Sequence, residues 1–275
     1  NFYNHFQITL IKGFHKIYIC SSNSFFMAKT DKKASKKMMK MNKIKRNKRK
    51  KVSFVIPALN EEKAITRVIK EIPIKKLKSI GYDTEIMVVD NGSTDKTRHL
   101  AKKNGATVIV QPVRGYGNAY KAGFANASGD IIVTGDADCT YPFSDVPGFI
   151  ALMESRNLDF ITTDRLSNLK PGVMAKTNQI GNFILTLAVK ILYRIHIKDS
   201  QSGMWIFKRS IWPKLNVISS GMPFSQELKI EAYRKGFNCM EIPIDYRTRA
   251  GEVKLKTWRD GIGNSWQLIK KRFSR

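Results

Sequence analysis

The run Ile131-Ile132-Val133-Thr134-Gly135-Asp136-Ala137-Asp138 constrains this chain more than any other stretch. Its β-branched start reads as a buried strand, and it closes on two carboxylates one residue apart. On an extended backbone successive side chains alternate in direction, so Asp136 and Asp138 are expected on one side of the strand end. Two hard oxygen donors placed there suit Mg²⁺ or Mn²⁺, which in turn grips phosphate oxygens. The plainer alternative is a polar turn that closes a strand.

The same grammar recurs along the chain. Val52 to Pro57 reads as a strand that Pro57 stops, with Asn60 as N-cap and Glu61 and Glu62 in the first turn of a helix reaching about Ile72. Glu85 to Asp90 is a second strand, followed by the turn Asn91-Gly92-Ser93 and a helix from about Thr94. Ala106 to Val110 is a third strand, and Arg114-Gly115-Tyr116-Gly117-Asn118 opens a helix reaching about Ala127. Strands alternating with helices predict a largely parallel α/β sheet with right-handed crossovers. Asp90 and the Asp136/Asp138 pair then share one rim, where open α/β sheets bind ligands. Gly115-Tyr116-Gly117 is not the dinucleotide fingerprint: the third glycine is missing and the loop follows the third strand. The phosphate-loop pattern ending in Gly-Lys-Ser/Thr does not occur.

Three acid-terminated segments, in order, resemble a known family. Val55-Ile56-Pro57-Ala58-Leu59-Asn60-Glu61-Glu62, Val88-Val89-Asp90-Asn91-Gly92-Ser93-Thr94-Asp95 and Gly135-Asp136-Ala137-Asp138 are similar to the successive signatures of family 2 glycosyltransferases of the GT-A fold, a Rossmann-like, mostly parallel sheet flanked by helices. Tyr141-Pro142, Asp199-Ser200-Gln201-Ser202-Gly203-Met204, Glu241-Ile242-Pro243-Ile244 and Arg249 to Leu255 resemble the dolichyl-phosphate mannose or glucose synthase branch. The resemblance spans 52–255.

The resemblance implies a metal-dependent, inverting transfer of a sugar from a nucleotide-sugar donor to a polyprenyl (dolichyl-type) phosphate. It implies that Pro57, Leu59, Glu61, Val89 and Asp90 line the base and ribose. Asp136, Ala137 and Asp138 would hold the ribose edge and a Mg²⁺ or Mn²⁺ ion, with Thr140 reaching the metal directly or through water. Arg114, Arg165, Arg249 and Lys254 are candidates for neutralising the donor diphosphate or the acceptor phosphate, for which a guanidinium fork is well shaped. An acceptor phosphate is already anionic and needs no strong base. A sugar-hydroxyl acceptor would need a carboxylate, with Glu227 as first candidate and Asp199 as second. The chain departs from the branch at Leu59 (often Tyr), Asn91 (Asp), Thr140 (Gln) and Val253 (Ser). These changes bear on the nucleotide and sugar, and GDP-mannose, UDP-glucose and UDP-N-acetylhexosamine all stay open.

Charge supplies the rest. The net charge is +27, and Met27 to Lys51 alone carries thirteen Lys or Arg against one acid, Asp31. Residues 1–51 are read as a basic extension, disordered over 28–51, that attaches to anionic lipid or simply solubilises the chain. Residues 1–26 lack a signal-peptide pattern, and Met27 is a candidate native start. Cys20, Cys139 and Cys239 are far apart, as expected of free thiols in a reducing compartment.

No run of about 18 uninterrupted apolar residues occurs, so no spanning helix is expected. Ile180 to Ile197, broken by Lys190 and Arg194 on one face, reads as a helix lying in the membrane interface; the tail 256–275, with Trp258 and Trp266 beside basic residues, reads as a second. Both also fit helices packed on the core. The protein is expected to be peripheral on the cytoplasmic face of a membrane. A basic nucleic-acid-binding protein is the rival from another class, but it leaves the acids at three strand ends unexplained, and no nucleic-acid partner is expected. A sugar nucleotidyltransferase would need a Gly-rich basic loop after the first strand, where Pro57-Ala58-Leu59-Asn60 stands instead.

Overall fold

The computed structural model describes residues 19–21, 24–26, 49–251, 268 and 270–272. Two compact units divide at Arg49 and Lys50. In the first, β1 (Ile19–Ser21) pairs antiparallel with β2 (Ser24–Phe26). Most of the expected disordered extension lies outside the described residues.

The second unit is built on β3 (Lys50–Ala58), which begins two residues earlier than its apolar run. From Val52 to Ile56 it is buried on both faces, as a central parallel strand requires. It pairs in parallel with β4 (Tyr82–Asp90), and β4 with β5 (Thr107–Val110). On its other side runs β6 (Ile131–Thr134), also parallel. Ala58 accepts a bond from the Asn91 amide on the β4 side, so Pro57 faces the β6 side. There β6 has ended at Thr134 opposite Val55, and no ladder bond is missed for want of a proline N–H.

The sheet continues through β8 (Trp205–Lys208), β7 (Phe160–Asp164) and β9 (Cys239–Pro243), in the order β5-β4-β3-β6-β8-β7-β9. Only β8 runs antiparallel to its neighbours, so β3, β4, β6 and β7 all end at one rim. The start of β8, after Gly203, lies at that rim too.

Helices cover both faces. On one, α1 (Ile65–Glu71), α2 (Ile74–Ser79), α3 (Thr97–Lys103) and α5 (Val146–Ser155) close over Phe54, Ile56, Val88 and Ile161. On the other, α4 (Tyr116–Asn126) and α7 (Phe224–Arg234) bury a mostly aromatic layer. There Tyr120 stacks on Phe224 with centroids 5.6 Å apart and also meets Trp205 at 4.9 Å. A smaller cluster of Leu185, Val189, Ile195, Ile230 and Leu268 lies beneath α6 (Lys176–Tyr193).

Two local expectations fail. The first helix begins at Ile65, because Asn60 adopts a left-handed φ of 51° and is not its N-cap. Strand β6 stops at Thr134, so Asp136 and Asp138 lie in the following turn and alternation along a strand does not govern their placement.

Candidate active site

The rim is assembled from loops that tie one another down. The loop after β3 is joined to the loop after β4: the Asn60 amide donates to Ser93 Oγ at 2.9 Å, and the Thr94 amide donates to Asn60 Oδ1 at 2.8 Å. The Glu61 amide donates to Thr97 Oγ1 at 2.8 Å and the Glu62 amide to Asp95 Oδ2 at 3.1 Å. Asn60 and the two glutamates therefore brace two loops rather than start a helix. This leaves the Glu61 carboxylate almost wholly enclosed beside the C-terminal ends of β3 and β4.

Asp90 ends β4 fully buried. It accepts from the Gly92 and Ser93 amides at 3.3 and 3.1 Å and from Arg98 Nε at 2.7 Å. Arg98, which local pattern does not mark, is thus the counter-charge for the acid at this strand end. Arg114 donates from Nη2 to the Gly92 carbonyl at 3.0 Å and stays exposed. Gly92 sits at φ 93°, a left-handed conformation that favours glycine over any residue with a Cβ. Asn91 accepts from the Gly115 amide at 3.0 Å. Pro57 and Leu59 are half-buried at the end of β3, and Val89 is buried.

In the turn after β6, Asp138 is almost wholly buried and Asp136 half-buried. Thr140 Oγ1 donates to Asp138 Oδ1 at 2.6 Å, and Ala137 is packed beneath. Burial, and next the charge of Asp138, push the Asp136 carboxyl up to about 7; Arg249 and Arg165 pull the other way. A divalent cation would remove that conflict, and the hard oxygens of Asp136 and Asp138 fit one. Among the described residues no three His, Cys, Asp or Glu side chains cluster as a metal cage. Among the described residues this turn thus offers two carboxylates to such an ion, with the rest of its coordination left to other ligands.

Arg249 joins two parts that the sequence lists separately. Its Nη2 donates to Glu61 Oε1 at 2.9 Å and its Nη1 lies 3.2 Å from Asp138 Oδ2, while its buried Nε has no partner among the described residues. Backbone bonds from Arg247 to the Thr140 carbonyl and from Ala250 to the Asp138 carbonyl, 3.0 and 2.9 Å, lay this segment along the turn. Lys254 lies outside the described residues.

Arg165, just past β7, is held by Asp199 through Nε at 2.7 Å and Nη2 at 2.9 Å. Its guanidinium carbon sits 5.4 Å from the centre of the Tyr246 ring. Tyr246 in turn meets Tyr141 edge-on, with centroids 5.4 Å apart. Gly203 completes this corner, with its amide donating to Tyr141 Oη at 2.7 Å; a Cβ on it would lie 2.5 Å from Tyr116 Oη and 3.5 Å from Asp136 Oδ1.

Glu227 stands apart from these groups as an interior anchor. Its Oε1 accepts from Lys271 Nζ at 2.8 Å and its Oε2 from the Ser219 amide at 2.8 Å. Glu231 shares the lysine at 3.2 Å. Burial opposes ionisation of Glu227, but its bonds to Lys271 and Ser219 outweigh it and hold the carboxyl below the usual range.

A sheet of this order carrying this rim is the GT-A fold of glycosyltransferases. Glucosyl-3-phosphoglycerate synthase of Mycobacterium tuberculosis, in complex with phosphoglyceric acid, superposes with a TM-score of 0.67 at 23% identity over 81% of this chain and 80% of that one. The same enzyme with Mn²⁺, UDP-glucose and phosphoglyceric acid gives 0.66 at 21% identity, again over 81% and 80%.

The chain belongs to glycosyl transferase family 2, whose model matches residues 53–215, and it is a glycosyltransferase. It is 37% identical over 212 residues to the low-salt glycan biosynthesis hexosyltransferase Agl6 of Haloferax volcanii, covering 76% of this chain but only 51% of that protein. A dolichyl-phosphate hexose transferase of the same organism is 31% identical over 219 residues, 80% of this chain and 92% of that protein.

Proposed function

We propose that the enzyme moves a hexose from a nucleoside-diphosphate sugar onto the phosphate of a polyprenyl phosphate at a membrane surface, with Mg²⁺ or Mn²⁺ as cofactor. The observation that carries this reading is the state of the two carboxylates a hydroxyl acceptor would require. Glu227 is locked to Lys271 and the Ser219 amide, and Asp199 to both prongs of Arg165. A phosphate acceptor needs neither, because its oxygen is already anionic at neutral pH.

In this reading Pro57, Leu59, Glu61, Val89 and Asp90 surround the base and ribose, and Arg114 reaches the diphosphate. Asp136 and Asp138, with Ala137 between them and Thr140 behind, hold the cation. Bound there, the cation supplies positive charge to the departing diphosphate. An acceptor phosphate oxygen attacks the anomeric carbon from the face opposite the leaving group; the new C–O bond forms as the bond to the diphosphate breaks, and the centre inverts. Arg165, Arg249 and Lys254 offset the charge of the two phosphate groups as they approach, so catalysis is chiefly positioning and electrostatics. The name of the dolichyl-phosphate hexose transferase relative supports the acceptor class.

Helix α6 supports the membrane surface. Leu185, Thr186 and Val189 are buried, while Ile180, Phe183, Ile184, Leu187 and Ile191, spaced by three, four and seven, are 43–69% exposed. No helix among the described residues is long and apolar enough to cross a membrane. A concavity of about 510 Å³ is lined by Leu166, Leu169, Lys170, Gln179, Ile180 and Phe183, and this mostly apolar lining beside the exposed face of α6 suits a prenyl chain. The 28–51 basic run would add attraction to anionic lipid on the cytoplasmic face. The tail 256–275, where it is described, is packed on the core instead of in the interface: Leu268 is buried and Lys271 is paired with Glu227 and Glu231. Phe183→Asp is expected to lower binding to anionic vesicles, read by flotation, by about tenfold or more, since a buried Phe contributes about 2 kcal/mol. Unchanged flotation would remove α6 from the interface.

The function is tested by incubating the protein and Mn²⁺ or Mg²⁺ with labelled GDP-mannose, UDP-glucose or UDP-N-acetylglucosamine and dolichyl phosphate. Label entering the organic phase from one donor is the expected result. Donor consumption with no labelled lipid would refute the acceptor.

A further inference from the structure

Behind Arg165 lies a second layer of buried charge that the transfer reaction does not itself call for. Asp199 is completely enclosed, and its carboxylate accepts four hydrogen bonds. Oδ2 takes the Arg165 amide at 3.1 Å and Arg165 Nε at 2.7 Å; Oδ1 takes Arg165 Nη2 at 2.9 Å and the Gln201 amide at 3.0 Å. Burial alone would raise this carboxyl, but the Arg165 guanidinium holds it at about 2.

The backbone that carries Asp199 is clamped on three sides. Its amide donates to Glu241 Oε1 on β9 at 3.0 Å, and its carbonyl accepts from Lys229 Nζ on α7 at 2.8 Å. The next amide, of Ser200, donates to Thr186 Oγ1 on α6 at 3.0 Å. Lys229 has no solvent exposure at all. Elements from three parts of the chain thus converge to fix one carboxylate, and that carboxylate fixes one arginine.

A buried ion pair is weak evidence for stability, since desolvation offsets most of the attraction. Its geometric effect is stronger. An arginine side chain has several rotatable bonds, and a fork held at two nitrogens on an aromatic face has one orientation left. Among the described residues, Nη1 of Arg165 has no hydrogen-bond partner, whereas Nε and Nη2 are both taken. Tyr246 also meets Tyr141, whose hydroxyl accepts from the Gly203 amide beside Asp136, so the guanidinium belongs to the same corner of the site.

We propose that Asp199 is a positioning residue: by taking Nε and Nη2 it sets Arg165 against Tyr246 and leaves Nη1 to bind an oxygen of the acceptor phosphate. This rests on the phosphate-acceptor reading above. Asp199 touches neither substrate, so its whole effect passes through Arg165, and the Lys229, Glu241 and Thr186 bonds keep it in register.

The test is a double-mutant cycle on the full chain, with the initial rate of dolichyl phosphate labelling measured against acceptor and donor concentration. Asp199→Asn keeps the size and one acceptor oxygen but releases the fork. It is expected to raise the acceptor KM by about tenfold or more and leave the donor KM within about twofold, as loss of one charge-assisted contact predicts. Arg165→Lys is expected to do the same, and the double variant to be no worse than Arg165→Lys alone. Additive losses, an equal rise in donor KM, or an unchanged acceptor KM with only a lower melting temperature would overturn the positioning role.

If Asp199→Asn does not fold, Tyr246→Leu removes the ring beneath the guanidinium and leaves Asp199 intact. The same acceptor-selective rise is expected, and an unchanged acceptor KM would overturn the proposal. Wild-type protein that consumes donor and labels no lipid would overturn the underlying reading, and this proposal with it. Wild-type labelling with additive variants would overturn this proposal alone.

Discussion

Asp138→Asn is expected to lower hexosyl transfer about a thousandfold while leaving the folded structure in place. A thousandfold corresponds to about 4 kcal/mol of transition-state stabilisation. Asn keeps the oxygen that accepts from the Thr140 amide and hydroxyl at 3.1 and 2.6 Å, so the turn holds. It removes the negative charge that a cation and Arg249 Nη1 would share, and it presents an amide N–H₂ to that guanidinium at what is now a 3.2 Å ion pair. The loss should therefore be accompanied by weaker Mn²⁺ binding, read by titration calorimetry in the presence of the nucleoside diphosphate. Transfer within tenfold of wild type would mean that Asp138 does not hold the cation.

The largest expected effect on stability belongs to Lys271→Met. Lys271 Nζ is the shared counter-charge of Glu227 at 2.8 Å and Glu231 at 3.2 Å, and both carboxylates are almost fully enclosed. Removing one partner of a buried pair strands the other, a loss of about 3–5 kcal/mol. For a domain of this size that is a fall in melting temperature of about 10 °C. The sign with pH follows from Glu227. Its carboxyl is depressed below the usual carboxylate range in the fold, so its ionic contribution is present at neutral pH and disappears as pH falls through the folded-state value. The gap between wild type and Lys271→Met should accordingly be widest near neutrality and close under acid conditions. A gap independent of pH would mean that the lysine acts through packing alone.

The features legible in the sequence are those written in contiguous residues. The apolar runs behind Val55, Val88 and Ile132 became parallel strands because full burial on both faces demands such runs, and the acids that follow them came to one rim because the strands share a direction. Arg249 and the Asp136/Asp138 turn were likewise marked by residue type.

What pattern did not show depends on choices between distant residues. Asn60 has the composition of an N-cap, but its side chain accepts from Thr94, 34 positions away, and its backbone goes left-handed. Arg165 is marked as a phosphate-ligand candidate by residue type, but the pairing of its Nε and Nη2 with Asp199, again 34 positions away, is not legible in the sequence. Glu227 has the spacing of a helix-start base, and its role is decided by Lys271, 44 positions on. Each case turns on which of several polar groups meets which, and that is set by how the helices pack.

The proposed acceptor is anionic before it binds. The most direct measurement compares polyprenyl phosphate with the unphosphorylated polyprenol of the same chain length, under one labelled donor and saturating Mn²⁺. Label in the polyprenyl phosphate product alone is the expected result. Comparable labelling of the polyprenol would contradict it, because deprotonating that hydroxyl would require a base that Glu227 and Asp199, as held here, do not supply.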